Sequence, residues 1–279
     1  MNNAIIGMLA ETCLHPGSGQ TAGVIDLPVA REKTTNYPVI PGSGLKGALR
    51  DFAEQFSLDA DNLFGKPDSA GTIAVTDARL LLLPVRSLNT HFMWVTCPYL
   101  IERYRRDCEL AALSTPLPKL PSVELKEGQA AAEKRSYTHL YLEELSFEII
   151  PTDLSSLVNA FAPLIKHESV RNRLKDSLVV VNDDEFSYFA SHCLTVNARN
   201  VLEKKTKTSS NLWYEETVPA ETLFYALLIT RPVDQQNREA INTIVELFKK
   251  RPYLQVGGNE TVGQGWCAVS FVSSGGEMR

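Results

Sequence analysis

Apolar residues in this chain come in short runs set apart by polar, glycine-rich and proline-rich stretches. Ala4 to Ala10 is one such run, the length of a single buried strand. From His15 to Ser43, Gly, Pro, Ser and Thr break every period, and a loop of that length inside a compact domain points to function. Leu45, Ala48, Leu49, Phe52, Ala53 and Phe56 then recur at helical spacing, with Ser43 placed as N-cap. Asn62 to Gly65 reads as a turn, and Gly71 to Leu83 as a strand carrying a run of leucines.

Pro98 to Leu113 has helical spacing, which puts Arg103, Arg105 and Arg106 on a polar side. Ser114 to Arg135 mixes three prolines with Lys and Glu and reads as an insertion or exposed loop. Leu140 to Ile150 alternates as a strand, Leu154 to Leu174 is a helix, and Leu178 to Val181 is a buried strand. Asp183, Asp184 and Glu185 suit the positive end of a helix dipole. Residues 192–230 read as two long strands around a polar tip, Glu203 to Asn211. A helix from Asp234 to Lys250 is stopped by Pro252. Tyr253 to Val256 and Trp266 to Val272 are strands joined by a glycine-rich loop, and Ser273 to Arg279 reads as a loose tail. Helices and strands alternate without a uniform βαβ rhythm, so the pattern predicts an α+β fold rather than a doubly wound parallel sheet.

Composition narrows the function classes. Lys plus Arg number 28 against 33 Asp plus Glu, a net charge of −5, which argues against indiscriminate nucleic-acid binding but leaves room for a basic patch. No apolar run approaches the ~18–20 residues of a membrane span. The N-terminus lacks a basic leader, so a cytoplasmic protein without membrane contact is expected. Five cysteines and five histidines are scattered without ligand spacing, which reads as buried free thiols rather than a zinc site.

Pro41 to Arg50 is the most informative segment. Gly42, Gly44 and Gly47 crowd a helix start, and Lys46 and Arg50 share a face at i, i+4. A cation in a first helical turn opposes the dipole, so Lys46 makes sense beside a bound anion such as phosphate; a solvated helix start is the alternative. Asp26 is a lone carboxylate in the apolar run Gly23 to Val29, near Arg31 and Lys33 in sequence. It reads either as a turn residue or as a holder of a hard cation beside a phosphodiester. Lys204, Lys205 and Lys207 put positive charge on the hairpin tip, either solvated or gripping a nucleic-acid backbone.

In this order the segments resemble the RAMP superfamily of CRISPR-associated proteins, and within it the repeated backbone subunit of the type III-B effector complex. The resemblance runs through His15-Pro-Gly-Ser-Gly19, Gly23-Val-Ile-Asp-Leu-Pro28, Arg31-Glu-Lys33, Ile40 to Gly47 and Leu63-Phe-Gly65. It continues through Asp77-Ala-Arg-Leu80, Pro84-Val-Arg-Ser87, Leu212-Trp-Tyr-Glu-Glu216 and the loop Gly257 to Gly265. It implies a single domain over 1–279: a ferredoxin-like (RRM-like) palm, a β-hairpin thumb at about 192–222 and a helical insertion at about 84–140.

The implied partners are a CRISPR guide RNA, a complementary target RNA, further copies of the chain stacked head to tail, and the other subunits of the complex. The implied activity is cleavage of the target at regular intervals with Mg2+ or another divalent cation such as Mn2+. Asp26 matches the catalytic and metal-binding position, and His15 a motif position near the cut. Ser43, Gly44, Lys46 and Arg50 match guide contacts, and Arg31, Lys33, Tyr214 and Glu215 are weaker candidates beside the target strand. Two other readings stay open here: a metal-independent processing nuclease of CRISPR RNA, and a non-catalytic structural subunit.

Overall fold

The computed structural model describes residues 3–20, 23–113, 117–119, 124–231, 239–273 and 276–278. Its frame is six elements: strand Ala4–Ala10, helix Gly42–Gln55, strand Ala78–Arg86, strand Leu223–Thr230, helix Ala240–Lys250 and strand Trp266–Ser273. Side by side the strands run Trp266–Ser273, Ala4–Ala10, Leu223–Thr230, Ala78–Arg86, each antiparallel to its neighbour. This is the ferredoxin-like arrangement, with the first strand between the fourth and third. Register is tight: Ile6 lies opposite both Ala226 and Phe271.

Everything from 87 to 222 is inserted between the second and third of these strands. The insertion supplies helices Pro98–Leu110, Ser155–Phe161, Glu168–Ser177 and Asp183–His192. It also extends the sheet outward through Phe92–Thr96, Leu178–Val180, Gln129–Ala132, Leu145–Pro151 and His139–Leu142. The hairpin Thr195–Leu202 with Ser209–Thr217 stands apart as its own two-stranded sheet.

Successive side chains on a strand face opposite sides, so the sheet makes two cores. Ile6, Met8, Leu80 and Phe224 pack with Leu45, Phe52, Ile244 and Phe248 of the two frame helices. Ile5, Leu9, Tyr225 and Trp94 pack with Ile101, Tyr104, Leu157 and Phe161 of the insertion. Burial on both faces is why Ala4–Ala10 reads as an unbroken apolar run instead of an alternation.

Several sequence expectations change. Leu154 to Leu174 is not one helix: Pro163 cannot donate a backbone bond, and the chain passes from Ser155–Phe161 through a 3-10 turn, Ala162–Leu164, to Glu168–Ser177. Leu140 to Ile150 is a hairpin, reversed at Glu143 with φ 47°. Residues 192–230 hold three strands, because the chain turns back before Leu223–Thr230. Gln129–Ala132, expected in a loop, is a buried strand parallel to Leu145–Pro151. Asn62 to Gly65 lies at the end of a short helix, Ala60–Phe64. Arg103 is not on a polar side but buried, donating to both carboxylate oxygens of Glu32 at 2.7 Å. In the tail, Gly276–Met278 pairs with Trp266–Ser273. The start of the expected Asp234 helix lies outside the described residues.

Candidate functional site

The long first loop folds onto one edge of the hairpin. Leu27 N donates to Tyr214 O (3.1 Å) and Glu216 N donates to Leu27 O (3.0 Å), so the loop runs as a short third strand beside Ser209–Thr217. This ties down two predicted residues. Tyr214 N donates to Asp26 Oδ2 at 2.8 Å, and His15 Nδ1 donates to Glu216 O at 2.8 Å. Tyr214 and Glu216 are two residues apart on one strand edge, so the anchors lie about 7 Å apart. Asp26 is half-buried. His15 is buried, and its ring keeps Nε2 as the lone-pair nitrogen when neutral.

Two carboxylates beneath this edge are engaged with the protein. Glu216 is 4% exposed; it takes Arg31 Nη2 at 2.6 Å and Val29 N at 3.0 Å. Glu215 is 3% exposed and accepts from Arg199 (3.3 Å) and from Asn259 Nδ2. Asn259 belongs to the C-terminal glycine loop, which closes over the first loop: Gly258 N donates to His15 O at 3.0 Å and Gly265 N to Cys13 O at 2.9 Å. At Gly257 the φ is 83° and an added Cβ would stand 2.6 Å from His15 O, so only glycine fits there. Glu216 and Asn259 lie in segments that carry the resemblance but were not singled out as site residues, and Arg199 lies in none of them.

Arg31 is spent inside the fold, donating also to Asn36 O and Ala190 O at 2.8 Å each. Lys33 is exposed, at a 580 Å³ cleft that Arg79 and Arg106 also line. Ser43 is not the N-cap of its helix, which starts one residue earlier; Asp77 Oδ1 accepts from Gly42 N at 2.6 Å and does the capping. Ser43, Gly44 and Lys46 are exposed on the first turns. Arg50 pairs with Glu54 (2.9 Å) and Asp61, and the hydrogen bond to Asp61 raises its pKa while lowering that of Asp61. Lys204, Lys205 and Lys207 sit on the exposed hairpin tip. The hairpin also exposes Val196, Val201, Leu202, Leu212 and Tyr214, an apolar surface of which only Tyr214 was expected to matter.

A divalent cation would find few ligands here. Among the described residues no three His, Cys, Asp or Glu side chains come together as a cage. Glu216 has both oxygens engaged, and Glu215, 3% exposed, takes its two donors on Oε1. Asp26 is the half-buried carboxylate of this site, with one oxygen on Tyr214 N and a second left to offer. One carboxylate completed by phosphate oxygens and water is a mode that magnesium accepts, so the site fits a cation shared with bound RNA.

A ferredoxin-like sheet, a glycine loop closing over the first loop and a long hairpin beside it define the class of fold. A sequence model of the RAMP superfamily matches residues 9–268, and the chain belongs to that superfamily. More particularly, it is 36% identical to the CRISPR system Cmr endoribonuclease Cmr4 of Pyrococcus furiosus, with 97% of this chain and 96% of that protein covered. Identity to the CRISPR system CMR subunit Cmr4 of Saccharolobus solfataricus is 25%, covering 92% of each. The crystal structure of oligomeric Cmr4 from Pyrococcus furiosus superposes with a TM-score of 0.78 at 31% identity, covering 98% of both chains. A chain of the type III-B Cmr-beta complex bound to cognate target RNA shares the fold, with a TM-score of 0.75 at 22% identity over 96% of each. No helix among the described residues is long and apolar enough to cross a membrane.

Proposed function

We propose that this chain is the repeated backbone subunit of a type III-B RNA-guided effector complex, and that it cuts the complementary target RNA with Asp26 as the catalytic carboxylate. Near-full-length similarity to a protein named as the Cmr endoribonuclease supports the activity class. The observation that carries the residue assignment is the fixing of Asp26 by Tyr214 N at the hairpin base, beside His15. One oxygen of Asp26 is committed to the fold and the other is left for chemistry. His15, held through Nδ1, presents Nε2 as a proton acceptor for the attacking hydroxyl. The exposed lysines Lys46 and Lys33, with the tip lysines, supply sequence-blind contacts to RNA phosphates. Base pairing then carries the sequence information. Mg2+ or Mn2+ bound at Asp26 would stabilise the charge developing on the scissile phosphate.

A non-catalytic subunit would use Asp26 only to tie the first loop to the hairpin, and a processing nuclease would cut the guide precursor rather than the target. The test separates them. Assembled complex is incubated with labelled complementary RNA and magnesium, with and without chelator. Wild type should give an evenly spaced ladder that chelator abolishes. Asp26→Asn should retain the target intact in a stable complex, a loss of at least ~10²-fold in rate with little change in affinity. An undiminished ladder from Asp26→Asn would move the chemistry elsewhere, and a ladder that survives chelation would remove the metal.

A further inference from the structure

We propose that the small hairpin Gly65–Lys66 with Ser69–Ala70 is the second wall of the guide-binding groove, and that Lys66 contacts an RNA phosphate as the counterpart of Lys46. This rests on the reading of helix Gly42–Gln55 as a guide-binding element. Between helix and hairpin lies a groove of 690 Å³. Ser43, Lys46 and Gly47 line it from one side, and Lys66, Pro67 and Ala70 from the other. No carboxylate is among the lining residues. Among the described residues neither Lys46 nor Lys66 has a carboxylate within 4.0 Å, whereas Arg50, which also lines the groove, has two. Asp61, the acid whose field Lys66 feels, is held by Arg50. In a chain of net charge −5, a groove walled by cations and short apolar side chains suits an extended polyanion with a sugar between its charges.

The hairpin is built rather than loose. At Gly65 the φ is 82° and an added Cβ would fall 2.5 Å from Gly71 N; at Gly71 it would fall 2.4 Å from Gly65 N. The two glycines thus close the hairpin base backbone against backbone. Thr72 N donates to Asn62 O at 3.0 Å and Arg231 Nη1 to Gly71 O at 2.9 Å, which fastens the base where the second strand leaves. Arg50 fastens the near end: its guanidinium donates to Gly65 O at 2.5 Å while pairing with Asp61 and Glu54. Arg50 is therefore a positioning residue that sets the wall carrying Lys66, and its own charge is spent within the protein.

The experiment titrates the full-length chain against two labelled single-stranded RNAs of equal length and different sequence over a series of KCl concentrations. Lys46→Ala and Lys66→Ala should each weaken binding to both RNAs equally. Each should also flatten the slope of log K against log salt by about 0.7, the value of one lost phosphate contact on single strands. The melting temperature of Lys66→Ala should match wild type, because the side chain is exposed, and Lys66→Arg should restore the slope. Arg50→Gln should lower the melting temperature and keep the slope. A flattened slope for Lys46→Ala with none for Lys66→Ala would overturn this inference and leave the guide-binding reading standing. No change in either would overturn both. A slope loss for Arg50→Gln as large as that for Lys66→Ala would overturn the positioning role.

Discussion

At the scale of single residues, the site is decided by which half of each polar side chain the fold consumes. His15 spends Nδ1 on the carbonyl of Glu216 and keeps Nε2. Asparagine at this position can reproduce the Nδ1 donor but has no nitrogen where Nε2 stood. His15→Asn is therefore expected to melt within a degree or two of wild type, yet to cleave target RNA about 10²-fold more slowly, the range for loss of a general base. His15→Ala should in addition lose about 1–3 kcal/mol of stability, because a buried carbonyl is left unpaired. Thermal melts and single-turnover cleavage check both, and cleavage by His15→Asn at the wild-type rate would reduce the ring to a structural part. The thiols follow the same logic with the opposite outcome. Burial pushes Cys108 up to about 11 and Cys267 up to about 12, so neither is available as thiolate near neutral pH.

At the scale of elements, the hairpin has two parts with different duties. Its base carries buried Glu215, Glu216 and Thr217 and holds the first loop. From Val201 outward its residues are exposed, and register slips between Val201 and Leu202. Replacing 204–210 by a short Gly-Ser turn removes only exposed residues and the outermost pairing. The change should leave stability within about 0.5 kcal/mol of wild type, as for surface changes in general. The same variant should assemble poorly on guide RNA or shift the positions of target cuts, because it removes the tip lysines and the reach of the hairpin. Chemical denaturation of the free chain and a cleavage ladder from the assembled complex report the two effects separately. Unchanged assembly with an unchanged ladder would end the thumb assignment.

At the scale of the whole molecule, both faces of the central sheet are covered. An RRM reads single-stranded RNA by stacking bases on an open sheet face. Here that option is closed by Ile101, Leu157 and Phe161 on one side and Leu45, Phe52 and Phe248 on the other. The surfaces left open are loops, helix starts and hairpins, and Lys33, Lys46, Lys66 and the tip lysines are exposed there. The insertion that covers one face also buries charge at its seam. Burial raises the carboxyl pKa of Glu221, opposed by Arg173 and His167 and reinforced by Glu11. A carboxyl raised in the folded state keeps its proton when the unfolded chain has released it. Stability therefore falls as pH rises from the ordinary carboxyl value through the folded one, and stays lower above it. Glu221→Gln removes that cost, and the partner it leaves, Arg173, is half exposed and loses little. The variant should melt about 1–3 °C above wild type near pH 7, with the gap closing below about pH 4. Melts across that range check the sign, and a variant that melts lower at neutral pH would contradict it.

Sequence alone determined what depends on neighbours a few residues away. Ala4–Ala10 and Leu178–Val180 are legible because strands buried on both faces must be continuously apolar, and helix Gly42–Gln55 because its apolar positions return every turn. The order of the glycine-rich segments carried the family, and with it the expectation for Asp26 and His15. Alternation of residue types does not report a chain reversal, so the hairpin at Glu143 was decided by packing, whereas the break at Pro163 follows from the proline itself and was there to be read. The cluster around Asp26 was beyond local reading for a plainer reason. Asp26 and Tyr214 are separated by 188 positions, and His15 and Glu216 by 201. Those pairs meet only because the ferredoxin-like order places the first strand between the third and fourth. That placement carries the loop after the first strand to the hairpin before the third and to the glycine loop before the fourth. Arg50 shows the same limit from the other side: its spacing from Lys46 marks a shared face, but only the hairpin at Gly65 decides that Arg50 is bound within the fold while Lys46 stays exposed along the groove.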